Sequence, residues 1–81
     1  MANNLILRDR RGYPWGKVTA TIIWVSGGQS KVWVNESGIG EFNLSSGVID
    51  KIIVAGETLY PLSSPKVNGS TQVMAKSDNN H

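Results

Sequence analysis

From Lys17 to Ala55 the chain carries no apolar stripe at helical spacing; β-branched and aromatic residues alternate with polar ones in short runs, each followed by glycine. Val, Ile and Thr are stiff at χ1 and pack well on a pleated surface, so such runs favour strands. In a strand successive side chains face opposite ways, so alternation means one wet face and one dry face. Glycines stand at 12, 16, 27, 28, 38, 40, 47, 56 and 69. Short strands between regular turn signals predict a sandwich or a small barrel.

The first strand is predicted over Asn4–Arg8, where Leu5, Ile6 and Leu7 are consecutive and suit burial on both faces. The longest covers Lys17–Ser26, with Val18, Ala20, Ile22 and Trp24 on one face and Thr19, Thr21, Ile23 and Val25 on the other. Ser26-Gly27-Gly28-Gln29 reads as a hairpin whose paired glycines supply positive φ. Further strands follow over Ser30–Asn35, Ile39–Leu44, Val48–Ala55 and Thr58–Leu62, the last stopped by Pro61. Lys66–Lys76 suits a final edge strand interrupted at Asn68-Gly69, with Val67, Thr71, Val73 and Ala75 on it. The expected fold is an all-β, antiparallel sandwich of about six or seven strands. A five-stranded barrel of the Src-homology or oligonucleotide-binding kind is the alternative. The expected core is Leu7, Val18, Ala20, Ile22, Trp24, Val32, Val34, Phe42, Leu44, Ile52 and Val54, with Ile49 and Ile53 covering a second face. Residues 1–76 form one domain in this reading, and 77–81 a frayed polar tail.

Composition narrows the chemistry. Eighty-one residues make one domain, which buries only roughly 60–65% of its unfolded surface. With no Cys, disulfides and thiolate metal sites drop out. The single His is His81, so a metal cage or a pocket base built on His is not expected, and neither is any Ser with a His partner. No phosphate-binding glycine loop opens a helix; Gly38 and Gly40 give a G-x-G between strands. The reading is therefore a non-enzyme without metal or cofactor. The net charge of +2 is mild, and its only cluster, Arg8-Asp9-Arg10-Arg11, is diluted by Asp9. No apolar run is long enough for a transmembrane helix, and the first residues lack a secretory signal pattern, which points to no membrane insertion and to the cytoplasm.

Two turns carry a family resemblance. Leu7-Arg8-Asp9-Arg10-Arg11-Gly12-Tyr13-Pro14 is an apolar strand end followed by D-x-x-G-x-P. Glu36-Ser37-Gly38-Ile39-Gly40-Glu41-Phe42-Asn43-Leu44 is an acidic residue followed by x-G-x-G-x-F-x-L. Together, over roughly residues 5 to 60, they resemble the carboxypeptidase-regulatory-like group of transthyretin-like (prealbumin-like) β-sandwiches. That group usually has Asp where Glu36 stands. The resemblance implies a sandwich, and a mostly non-catalytic one.

Three surfaces are candidates. Ile23, Val25, Trp33, Ile49 and Ile53 have no obvious cover and would form a large apolar patch. This makes a protein-interaction or structural module, self-associating or with a protein partner, the first functional expectation. Tyr13, Trp15 and Trp33 are aromatics suited to stacking on a carbohydrate or other small ligand, the second expectation. Arg8, Arg10, Arg11 and Lys17 form the only basic patch, which puts nucleic-acid binding third. Asp9 and Glu36 would approach each other if their turns share one end of the sandwich, the one conceivable oxygen-rich metal position.

Overall fold

The structure, a computed structural model, describes residues 2–43, 46–62, 66–68 and 72–81, with backbone alone for residues 2, 46 and 66–68. Eight strands lie among them: β1 (Ala2–Arg8), β2 (Val18–Trp24), β3 (Gln29–Val34), β4 (Ile39–Asn43), β5 (Ser46–Val54), β6 (Glu57–Leu59), β7 (Lys66–Asn68) and β8 (Gln72–Lys76). One sheet has the order β4-β1-β8 and the other β3-β2-β5-β6, with β7 pairing the start of β5. The fold is an all-β sandwich and not a closed barrel.

Alternation places the core. From the small sheet come Leu5, Leu7, Phe42, Val73 and Ala75; from the large sheet come Ala20, Ile22, Trp24, Val32, Val34, Ile52, Val54 and Leu59. Trp24 of β2 and Phe42 of β4 join the layers, with ring centroids 6.2 Å apart and tilted by 55°. Such a pair is worth about 0.5–1.5 kcal/mol beyond its area. The Trp24 indole N–H donates to Ser30 Oγ at 3.0 Å, so its polar edge is satisfied inside the hairpin. Leu44, expected in the core, and Thr71 and Gly69 of the expected last strand lie outside the described residues.

Three findings depart from the expectations. First, every described strand pair is antiparallel but one: β8 runs parallel to β1, with Leu5 beside Val73 and Leu7 beside Ala75. β1 is therefore a central strand, which explains why Leu5 and Leu7 are fully buried and Ile6 half-buried. Second, the alternation in β5 changes phase. Pairing passes from Ile23–Lys51 to Trp24–Ile49, leaving Asp50 as an extra residue. Strict alternation through Ile52 would carry the Asp50 carboxylate into the core; the bulge turns it to solvent and brings in Ile49, which is 3% exposed. Ile49 thus joins the core, while Ile53 stays half-buried on the outer face. Third, residues 77–81 fold back onto the domain. Ser77 N–H donates to Arg8 O at 2.9 Å and Arg10 N–H to Asn79 O at 2.9 Å.

One turn is used three times. In Asp9–Tyr13, Trp24–Gly28 and Asn35–Ile39 the fourth residue's N–H donates to the first carbonyl, and the first residue's N–H donates to the fifth carbonyl. The fourth residue is Gly12, Gly27 or Gly38, with φ of 89°, 109° and 77°. This is a three-residue loop closed by a glycine bulge. In the Gly27-Gly28 hairpin the positive φ belongs to Gly27 alone, so the expected use of both glycines is corrected. β5 and β6 are joined instead by Ala55-Gly56, both with positive φ (51° and 79°), the mirror-image two-residue turn.

Gly38 and Gly40 have packing reasons. A Cβ on Gly38 would lie 2.7 Å from Leu7 O, and one on Gly40 would lie 2.6 Å from Val32 Cγ1 and 2.7 Å from Trp33 O. The G-x-G run lets β4 cross closely over β3 on its way to the other sheet.

Candidate functional site

The end of the sandwich near Asp9 gathers most of the polar chemistry. Asp9 follows β1 in the inward phase of Leu5 and Leu7 and is fully buried. Its Oδ1 accepts the N–H of Arg11 at 2.9 Å and of Tyr13 at 3.0 Å. Its Oδ2 accepts Arg11 Nη2 at 3.0 Å and Nε at 3.3 Å, and faces the His81 N–H at 3.5 Å. Burial pushes the Asp9 carboxyl pKa up, but the Arg11 guanidinium and the three backbone N–H groups outweigh it and hold it below its usual value. Both Asp9 oxygens thus face hydrogen-bond donors of its own turn, and Oδ2 also faces the 77–81 segment. Glu36 is exposed in the Asn35 turn, and no group of three or more His, Asp or Glu able to hold a metal occurs among the described residues.

A second cluster was not anticipated. Ser77 is 1% exposed, and its Oγ hydrogen-bonds to Glu57 Oε2 and accepts the Asn79 N–H at 2.9 Å. His81 Nε2 lies 3.0 Å from Ser77 Oγ and 3.2 Å from Glu57 Oε1. Asn79 Nδ2 donates to Glu57 Oε1 at 3.0 Å. These bonds, the one from Ser77 foremost, lower the Glu57 pKa despite partial burial. The expectation that no Ser has a His partner is therefore corrected. The reason it went unseen is that β8 returns the last residues to the β5–β6 turn, which spacing does not reveal.

The three residues do not have the geometry of a nucleophilic triad. There the serine and the acid engage opposite ring nitrogens, so the ring can take a proton from one while the other orients it. Here both face Nε2, the serine proton is directed to Glu57, and Oγ lies beneath the segment. The arrangement fastens residues 77–81 to the β5–β6 turn.

The candidate aromatics are divided. Trp15 is 5% exposed; its backbone N–H donates to Leu7 O at 3.1 Å, and the His81 ring stacks on its indole at 3.8 Å and 4°. Pro14, Trp15, Gly16, Lys17, Glu36 and His81 line an open cleft of about 360 Å³. Tyr13 is exposed on the neighbouring turn under the Arg11 guanidinium, 5.0 Å from its ring centroid. Trp33 stands on the outer face of the large sheet and is 61% exposed. The basic residues are likewise divided. Arg8 is half-buried in β1, Arg11 is tied to Asp9 and Tyr13, and Arg10 and Lys17 are exposed.

The outer face of the large sheet follows from its register. Trp33 pairs with Thr19; Lys31, Thr21, Ile53 and Thr58 form the next row; Gln29, Ile23 and Lys51 form a third. Ile23, Ile53, Thr21 and Lys51 are half-buried, and Trp33 rises at the Thr19 end of the same face. Val25, 65% exposed, continues β2 past this face.

Comparison with protein-family models and with curated proteins found no match for the chain. The fold defines it as a small all-β sandwich. No helix among the described residues is long and apolar enough to cross a membrane.

Proposed function

We propose that this chain is a non-catalytic β-sandwich module that works by protein contact, self-association included, through the outer face of β3-β2-β5-β6. The supporting observation is Trp33, 61% exposed near the end of β3, on the same outer face as half-buried Ile23 and Ile53. A large exposed aromatic on a sheet face is a usual anchor of a contact surface. Ile49, once counted in this patch, belongs to the core, so the surface is narrower than the sequence suggests. A transthyretin-like sandwich, mostly non-catalytic, accords with such a role.

The test is light scattering across a concentration series, with Trp33→Lys as the comparison. Wild type is expected to gain mass with concentration, and the variant to stay monomeric at unchanged Tm. If both remain monomeric, and backbone amide shifts of β2, β3 and β5 do not respond to concentration, self-association is wrong. Stacking on a carbohydrate is a second use of the same Trp33, with Thr19 and Thr21 as hydroxyl neighbours. Saturable quenching of Trp fluorescence by a glycan, abolished in the same variant, would replace the first reading by this one.

A further inference from the structure

The His81 ring is held as a ligand is held. One face lies against Trp15 at 3.8 Å and 4°, and its Nε2 points at Glu57 Oε1 (3.2 Å) and Ser77 Oγ (3.0 Å). Arg11 Nη2 donates to the His81 carbonyl at 3.2 Å, fixing the backbone that carries the ring. Beside the ring the cleft of about 360 Å³ stays open between Pro14, Lys17 and Glu36. A Cβ on Gly16 would lie 1.9 Å from Asn35 O, so the cleft wall fits closely only because position 16 has no side chain.

A tryptophan face with a carboxylate at its edge selects planar cations that donate N–H. The ring quadrupole attracts the charge, and the carboxylate takes the N–H in plane. Imidazolium and guanidinium groups meet both demands; an ammonium lacks the flat face, and a neutral sugar lacks the charge. We propose that Trp15, Glu57 and Ser77 form a binding site for a planar N–H cation, an imidazolium or guanidinium group, and that His81 is its resident competitor. An incoming group would lift the ring off Trp15 and release the residues that follow Ser77, while Ser77 itself stays in place on Glu57 and Arg8 O. This goes beyond the contact surface at Trp33 and uses none of its residues, so Trp33→Lys is expected to leave it intact.

The experiment removes the competitor. In His81→Ala, titrated with imidazole at pH 6, Trp fluorescence should change saturably and Tm should rise, whereas wild type should need at least tenfold more imidazole. Adding Glu57→Gln to His81→Ala should weaken the binding at least tenfold. A linear response, or equal responses with and without Glu57, overturns the proposal. Should His81→Ala fail to fold, the wild type decides alone. Methylguanidinium must then shift the His81 ring protons to a plateau, and absence of a plateau overturns the site. N-acetylhistidine methylamide binding more tightly than imidazole assigns the group to a partner's side chain; the reverse order assigns it to a free small molecule.

Discussion

The Asp9 and Asn35 turns have the same backbone and different duties. In each, one side-chain oxygen accepts the N–H groups two and four residues on: Arg11 and Tyr13 for Asp9, Ser37 and Ile39 for Asn35. Asn35 is exposed and its task ends there. Asp9 is buried and has a second oxygen, which holds Arg11 and faces the His81 amide. The comparison separates what builds the turn from what builds the site. An amide oxygen suffices for the turn; the charge is needed where the turn must also bind the 77–81 segment.

The largest expected effect is that of Asp9→Ala. It strips a buried acceptor from the part-buried N–H groups of Arg11, Tyr13 and His81 and from the Arg11 guanidinium, so its loss of Tm should be at least twice that of Asn35→Ala. It should also raise amide exchange at Ser77–His81, which Asn35→Ala leaves protected. Equal losses would mean that the two turns are equivalent after all.

Acid comes next, and it distinguishes the turns because Asn35 does not titrate. The Asp9 and Glu57 carboxyls are both held below their ordinary values of 3.8 and 4.5. The unfolded chain therefore binds their protons first as pH falls. Their stabilisation is complete above those ordinary values and is lost as pH drops through the lowered ones. Chemical denaturation from pH 6 to pH 2 should show the decline, and Asp9→Asn with Glu57→Gln should flatten it.

Asn35→Ala should cost about 1 kcal/mol, the net worth of a partly exposed local hydrogen bond, or roughly 4–8 °C in Tm. Smallest of all, Asn35→Asp should lie within about 0.5 kcal/mol of wild type, since the accepting oxygen is kept at a solvated position. A substantial loss there would show that charge matters at both turns.

Much of this architecture is written in local residues. Alternation at Val18, Ala20, Ile22 and Trp24, and at Val32 and Val34, gave the correct buried face, and Asp9-Arg10-Arg11-Gly12 announced its turn. The second turn starts one residue before its acidic member: Asn35, not Glu36, has the geometry to bond its own backbone. In β5 a bulge decides which isoleucines are inside, and a bulge answers to the cost of burying Asp50 beside Trp24, not to periodicity. The candidate site was less legible. Its members are Trp15, Glu57, Ser77 and His81, distant in sequence, and they meet only because β8 returns alongside β1. His81 looked like loose chain end, since neither spacing nor residue type signals a stacking partner across the fold.

That parallel pairing has a consequence for assembly. A hairpin cannot join parallel neighbours, so Leu5 must wait for Val73. Until the final strand arrives, the first one has a bare flank of unsatisfied N–H and C=O groups beside two fully apolar side chains. Closing so large a loop is slow, and folding is expected in the millisecond-to-second range of sandwiches dominated by distant contacts. During that interval the vulnerable element is β1, an open template for any extended stranger. Mutations that weaken β8 should therefore appear first as loss of yield during synthesis, before they appear as loss of equilibrium stability.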